Sequence, residues 1–147
     1  MREETAENSK TILLVEDNLG DIRLIQEALK NSSLSLQLST VRDGVAAMDF
    51  LLRQGEYSDA PRPDLIILDL NLPKKDGREV LAEIKANSQL KRIPVIVLST
   101  SRNEDDIIQS YDLHVNCYIS KSRNLKQLFK IVKDIEEFWL NTVTLPS

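Results

Sequence analysis

The chain contains 147 residues, with 23 acidic and 19 basic side chains and a formal net charge of −4. Nucleic-acid-binding domains normally carry a basic patch, so this balance argues against a general nucleic-acid binder. The one cysteine, Cys117, excludes an internal disulfide and is typical of a reducing cytosol. No apolar run approaches the ~20 residues that span a bilayer. We therefore expect a cytoplasmic protein that binds neither nucleic acid nor membrane.

Short apolar runs alternate with amphipathic segments along the chain. The predicted strands are residues 11–15, 36–41, 65–68, 94–98 and 115–119. The predicted helices span about 18–30, 43–52, 76–84, 104–111 and 124–142. Such alternation predicts a doubly wound α/β fold, with a five-stranded parallel sheet and five helices. We expect a flexible polar tail at 1–10 and a single domain over 11–147.

Chemically active side chains stand at the ends of four buried strands. They are Glu16 and Asp17 after the first, Asp69 after the third, Ser99 after the fourth and Lys121 after the fifth. Taken singly, each has an ordinary explanation, such as a turn aspartate or a solvated lysine. Parallel strands point the same way, however, so these groups should gather at one edge of the sheet. Their convergence therefore predicts a functional site.

The acidic members of this set indicate a divalent metal. Carboxylates held together repel one another unless one is protonated or a cation joins them. Hard oxygen ligands select Mg²⁺, with Mn²⁺ as a substitute. We expect Asp17 and Asp69 to bind the ion directly, Glu16 to act through water, and the Asn71 backbone carbonyl to complete the set.

The same edge is suited to phosphoryl chemistry. Asp69 is placed to attack phosphorus and form an acyl phosphate. Lys121 would stabilise the phosphoryl oxygens by its charge, and the Ser99 hydroxyl would donate to them.

Two functions share this chemistry: a switch that keeps the phosphoryl group, and a Mg²⁺-dependent phosphatase that turns over on Asp69. Haloacid-dehalogenase-like phosphatases usually have a second aspartate two residues on, where this chain has Asn71.

These residues resemble the receiver domain of two-component response regulators. The similarity lies in the acidic pair Glu16-Asp17, the stretch 68–77 around Asp69, and the spacing from Asp69 to Ser99 and Lys121. Other stretches resemble the stand-alone response regulators that partner cyanobacterial phytochrome histidine kinases. They are residues 53–57, 101–106, 117–125 and 137–140.

The resemblance implies a phosphoryl-accepting switch. A phosphohistidine on a sensor histidine kinase, here a phytochrome, would donate its phosphoryl group to Asp69. The protein would catalyse only its own phosphorylation and slow dephosphorylation. Ser99 would move toward the phosphoryl group, Tyr118 would turn inward, and the face built by the fourth helix, fifth strand and fifth helix would change shape. A degenerate receiver that only binds partners is the least favoured alternative.

Two positions depart from the family pattern. Most receivers have proline after the lysine, in a cis peptide, whereas this chain has Ser122. A cis bond before another residue costs about 2.5–4 kcal/mol, so either that strain is retained or the Lys121–Ser122 bond is trans. Thr100 is bulkier than the usual small residue, and we expect it to slow hydrolysis of the acyl phosphate.

The last helix carries two apolar stripes. The first is predicted to pack on the sheet and consists of Leu125, Leu128, Phe129, Val132 and Trp139. The second comprises Ile131, Ile135 and Phe138. Because a surface helix normally shows one stripe, the second predicts a partner surface. The resemblance to receivers that pair through this face implies a symmetric homodimer contact there. The alternative is one wide stripe facing the core.

Overall fold

A computed structural model describes residues 9–30, 32 and 35–146. Within these residues, five strands alternate with five helices. The strands are β1 (Ser9–Val15), β2 (Ser35–Val41), β3 (Leu65–Leu68), β4 (Val95–Ser99) and β5 (Cys117–Ser120). The helices are α1 (Leu19–Lys30), α2 (Gly44–Leu52), α3 (Gly77–Ala86), α4 (Glu104–Asp112) and α5 (Leu125–Ile135). A 3₁₀ turn, Gly55–Tyr57, follows α2, and a π-helical segment, Glu136–Thr142, continues α5.

The strands form one sheet in the order β2-β1-β3-β4-β5, and every pairing is parallel. The predicted doubly wound fold is therefore confirmed. The register pairs Val15 with Leu68, Leu68 with Val97, and Ser99 with Ser120. The carboxyl ends of the four strands that precede the candidate side chains consequently lie side by side.

Alternate residues of each strand enter two cores, one on each face of the sheet. Leu13 and Val15 face the core under α2 and α3, whereas Ile12 and Leu14 face the core under α1 and α5. All four residues of β3 are buried, as expected for a central strand covered on both faces. Two buried layers hold the strand ends rigidly, which is what a site built on them requires. Within the described residues, no helix has the length and apolarity needed to cross a membrane.

The first strand starts earlier than predicted. Ser9 and Lys10 pair with Ser35 and Leu36 of β2, so they belong to the sheet and not to the predicted tail. Their polarity obscured this because they occupy the exposed start of the strand. The rest of the predicted tail, residues 1–8, lies outside the described residues.

The predicted packing of the last helix is partly wrong. Leu128 and Val132 are buried as expected, but Leu125 is 63% exposed and Phe129 is 41% exposed. Consecutive helical residues are about 100° apart, so Phe129 points well away from the line through Leu128 and Val132. Ile135, expected on the partner surface, is buried in the core, whereas Phe138 is 54% exposed. The buried stripe thus runs through Leu128, Val132 and Ile135.

Candidate functional site

Backbone hydrogen bonds extend the sheet beyond the strand ends and fix the residues that follow. Asp69 N–H donates to the Val15 carbonyl at 3.0 Å. Glu16 N–H donates to the Val41 carbonyl at 3.1 Å, and Lys121 N–H donates to the Ser99 carbonyl at 2.6 Å. Hydrogen bonds of the sheet therefore fix the backbone that carries the side chains of Glu16, Asp69 and Lys121.

The ammonium of Lys121 is the centre of the site. Its Nζ donates to Glu16 Oε2 at 2.8 Å, to Asp21 Oδ2 at 2.8 Å and to Asp69 Oδ2 at 3.4 Å. The side chains of Lys121 and Glu16 are 3% and 2% exposed. A buried charge is tolerated only when it is paired and hydrogen-bonded, and these contacts meet that condition. The predicted convergence of Glu16, Asp69 and Lys121 is thus observed.

Burial and neighbouring charges shift the pKa values of two groups. Burial, followed by the charge of Asp69, raises the pKa of Glu16 to about 7, against the opposing effect of Lys121. Burial by itself lowers the pKa of Lys121. Hydrogen bonds to Asp21 and Glu16 and the charge of Asp69 raise the pKa by more, so that it lies above the ordinary lysine value. Lys121 is therefore charged at neutral pH. One cation faces three carboxyl groups, so a second positive charge at this site would be electrostatically favoured.

The loop after β3 presents the Asp69 carboxylate at the sheet edge. Its Oδ1 accepts from Asn71 N–H at 3.3 Å, while Oδ2 faces Lys121. Gly77, at the start of α3, packs so closely that a Cβ there would lie 2.4 Å from the Asp69 carbonyl oxygen. A glycine is required at this contact, and it holds the loop against α3.

Asp17 does not join the other carboxylates. Its side chain is 50% exposed, and its Oδ1 lies 3.7 Å from Arg42 Nη2. Across the described ranges, no group of three or more acidic, histidine or cysteine side chains is arranged to hold a metal ion. Of the predicted ligands Glu16, Asp17, Asp69 and the Asn71 carbonyl, Glu16 and Asp69 contact Lys121 and Asp17 contacts Arg42, and the metal site stays a prediction. The donors are nevertheless hard oxygens next to uncompensated negative charge, which suits Mg²⁺ chemically.

The predicted switch residues are linked through one loop. Ser99 is fully buried, and its Oγ accepts from Ser101 N–H at 3.2 Å. The half-buried Tyr118 donates its hydroxyl to the Ser101 carbonyl at 2.9 Å. Ser101 Oγ in turn donates to Asp106 Oδ2 at 2.7 Å, on α4. The loop from Ser99 to Ser101 thus couples the site to β5 and α4.

The peptide bond after Lys121 is trans, because no cis bond occurs among the described residues. This decides between the two alternatives that Ser122 left open. The Ser122 hydroxyl accepts from Asn124 N–H at 3.1 Å and donates to Gln127 at 2.7 Å. Ser122 therefore ties the lysine to the start of α5.

One member of the site was not predicted as a site residue. Asp21 follows no strand and lies in the first turn of α1, where an acidic residue is ordinarily explained by the helix dipole. The available signal was its place in the first turn of the helix that follows the first strand, since that turn begins at the carboxyl edge of the sheet. Its partner Lys121 left no local pattern.

Comparison with known proteins extends these observations. Residues 12–133 match the family model described as "Response regulator receiver domain". "Response regulator Rcp1" from Synechocystis sp. is 69% identical over 138 residues, which cover 94% of each chain.

Two solved structures are similar over nearly their whole length. The Mn²⁺-bound form of response regulator Rcp1 superposes with a TM-score of 0.92 at 69% identity, covering 94% of this chain and 99% of that one. The phosphorylated cyanobacterial phytochrome response regulator RcpA gives a TM-score of 0.93 at 72% identity, covering 95% and 99%. The similarity therefore includes every strand end that carries the site.

Proposed function

Because the chain belongs to the family of response regulator receiver domains, and is thus a signalling phosphoacceptor, we propose that Asp69 is the residue that accepts the phosphoryl group. The observation that carries this proposal is the Lys121 ammonium, buried 3.4 Å from Asp69 Oδ2 at the end of β3. Family membership decides against the phosphatase alternative, since the matched family consists of signalling receivers.

The proposed donor is a phosphohistidine of a sensor histidine kinase. An Asp69 oxygen attacks phosphorus, a P–O bond forms and the P–N bond breaks. The departing imidazole keeps the electron pair and takes a proton. Lys121 donates to the phosphoryl oxygens and offsets the charge that builds up on them.

A divalent ion fits this scheme. We propose Mg²⁺, or Mn²⁺ in its place, on Asp17, Asp69 and the Asn71 carbonyl, with Glu16 acting through water. The ion would shield the incoming phosphoryl group from the surrounding carboxylates. Asp17 would have to leave Arg42 to take part. Support comes from the donor chemistry and from the Mn²⁺-bound form of a relative that is 69% identical.

The kinase partner that we propose is a phytochrome, acting in the cytoplasm. The supporting relative, 72% identical, is described as a phytochrome response regulator. Exposed apolar side chains flank the site on the side of α1 and α5, which suits the approach of a partner. They are Leu19, Leu125 and Phe129.

The proposed output is a change in the loop that joins Ser99 to Ser101. Ser99 would release Ser101 N–H and turn its hydroxyl to the phosphoryl group. Movement of Ser101 would then free the Tyr118 hydroxyl from the Ser101 carbonyl and allow the ring to turn inward. The face of α4, β5 and α5 would change as a result.

That same face is the proposed homodimer surface, with a second copy of this chain as its partner. Ile131 and Phe138 line an apolar groove with Ile119 and Trp139, and Ile135 forms part of its floor. Phe138 is 54% exposed and meets Trp139 edge-on with ring centroids 5.7 Å apart.

Ile108 and Tyr111 extend the exposed apolar surface onto α4. Exposed aromatic and aliphatic side chains of this kind are enriched in protein interfaces.

The proposal is tested by intact-mass spectrometry after incubation with Mg²⁺ and acetyl phosphate. The wild-type protein should gain the mass of one phosphoryl group, and Asp69→Asn should gain none. Asp59→Asn, which alters an exposed carboxylate in the loop before β3, is the matched control and should behave as wild type. Turnover of phosphate esters without an adduct would instead support the phosphatase alternative.

A further inference from the structure

Asp21 makes one of the two shortest contacts to Lys121, and neither phosphoryl acceptance nor metal binding uses it. Its Oδ2 lies 2.8 Å from Lys121 Nζ, whereas Asp69 Oδ2 lies at 3.4 Å. The Asp21 side chain is 20% exposed, so the ion pair is mostly shielded from water. The position of the ammonium therefore depends on a residue outside the strand ends.

The position of Asp21 is itself well defined. Its N–H donates to the Asn18 side chain at 2.9 Å, which caps the start of α1. The neighbouring Ile22 and Ile25 are buried in the core beneath α1. A short side chain on such a helix has little freedom, so it offers Lys121 a fixed acceptor.

The geometry assigns the three N–H bonds of the ammonium. A lysine ammonium carries three donors and no acceptor. Glu16 and Asp21 each accept one at 2.8 Å, which leaves the third for Asp69 at 3.4 Å. If Asp21 were absent, Asp69 would be the nearest carboxylate for the freed donor. The ammonium would then pair tightly with the nucleophile and be less available to a phosphoryl group.

We propose that Asp21 is a positioning residue for phosphoryl transfer. Together with Glu16, it holds the Lys121 ammonium so that one N–H points toward the phosphoryl oxygens on Asp69 without tying up the Asp69 carboxylate. This inference rests on the proposed function of Asp69. It assigns Asp21 a role that acts only through Lys121.

A double-mutant cycle separates this role from a purely structural one, because coupling appears only between residues that act on each other. The rate of phosphorylation by acetyl phosphate with Mg²⁺ is measured for wild type, Asp21→Asn, Lys121→Met and the double variant. Asp21→Asn should slow the reaction by about tenfold, the lower end of the losses caused by removing a partner that orients a metal ligand. In the Lys121→Met background it should cause no further loss, and Asp21→Glu should restore part of the wild-type rate.

The matched control is Glu27→Gln, which removes one carboxylate from the same helix. Glu27 pairs with Lys30 in an exposed contact at 3.8 Å, so the wild-type rate is expected. Equal losses from Asp21→Asn in both backgrounds, or an equal loss from Glu27→Gln, would overturn the positioning role while leaving the phosphoacceptor intact.

A second measurement does not depend on phosphorylation. The ¹⁵N resonance of the Lys121 ammonium reports its hydrogen-bond partners in the resting protein. It should shift in Asp21→Asn and stay unchanged in Glu27→Gln, even if Lys121→Met fails to fold. An unchanged resonance in Asp21→Asn would refute the contact. Failure of wild type to take up any phosphoryl group would instead refute the proposed function.

Discussion

The Asp17 carboxylate lies 3.7 Å from the Arg42 guanidinium, with both side chains about half exposed. The Arg42 Nη2 also donates to the Asp17 carbonyl at 3.3 Å. Arg42 thus contacts the carboxylate that is the best candidate metal ligand. Metal binding and the Arg42 contact therefore compete for one carboxylate.

Arg42→Ala should consequently strengthen Mg²⁺ binding. Exposed ion pairs contribute only about 0.2–1 kcal/mol, so the affinity should rise by no more than about fivefold. A Mg²⁺ titration followed by NMR or calorimetry measures the change. Arg92→Ala, which removes an exposed arginine elsewhere, is the control and should leave the affinity unchanged. Weaker binding in Arg42→Ala would show that Arg42 helps to assemble the site.

Glu16 should make the metal-free protein less stable as the pH rises. Its pKa in the folded state is raised from 4.5 to about 7, so the folded state holds a proton that the unfolded state has lost. The associated stability is present below pH 4.5 and is lost as the pH rises to about 7. Glu16→Gln should therefore gain stability relative to wild type across that window. Denaturant unfolding with a chelator present measures the difference, and a constant difference from pH 4.5 to 7 would contradict the shift.

Tyr118→Phe should destabilise the resting state more than the phosphorylated state. The substitution removes the 2.9 Å hydrogen bond to the Ser101 carbonyl, which is worth about 0.5–1.5 kcal/mol. If Tyr118 leaves Ser101 on phosphorylation, the loss should shrink when a beryllofluoride adduct mimics the phosphoryl group. Chemical denaturation of both states supplies the comparison. Equal losses would mean that Tyr118 does not change partner.

Phe138→Asp should shift the protein toward monomer. Phe138 is the exposed aromatic of the proposed dimer face, and a charge there would be buried against the second copy without a partner. Phe129→Asp is the matched control, because Phe129 is an exposed aromatic on α5 that lies on the side of α1. Sedimentation velocity distinguishes the two. The dimer face would be refuted if Phe138→Asp left the association unchanged or if both variants disrupted it equally.

The parts of the site that could be predicted from sequence are those fixed by the backbone. Asp69 and Lys121 follow buried apolar strands, and parallel pairing alone brings such residues to one edge. The orientation of Asp17 could not be predicted, because it depends on Arg42, whose side chain reaches it from the loop after β2. Asp21 was missed for a similar reason, since its partner Lys121 is 100 residues away along the chain. Side-chain partners of this kind are set by tertiary packing and leave no local pattern.

The same distinction applies to the helices. Periodicity correctly placed Leu128 and Val132 against the sheet, but it gave no means of telling that Leu125 and Phe129 lie beyond the sheet toward α1. Hydrophobic spacing identifies an apolar face, whereas the width of the covering layer decides how much of that face is buried. The start of β1 at Ser9 was likewise decided by pairing with β2 and not by the polar residues themselves.

The most direct test of the central claim is the chemical identity of the phosphorylated residue. Borohydride reduction of the phosphorylated protein converts an acyl phosphate on aspartate to homoserine, which peptide mass spectrometry can locate. Modification at Asp69, absent when Mg²⁺ is removed, is the result expected if this carboxylate is the phosphoacceptor. Modification at Asp17, Asp21 or Glu16, with Asp69 recovered intact, would contradict it.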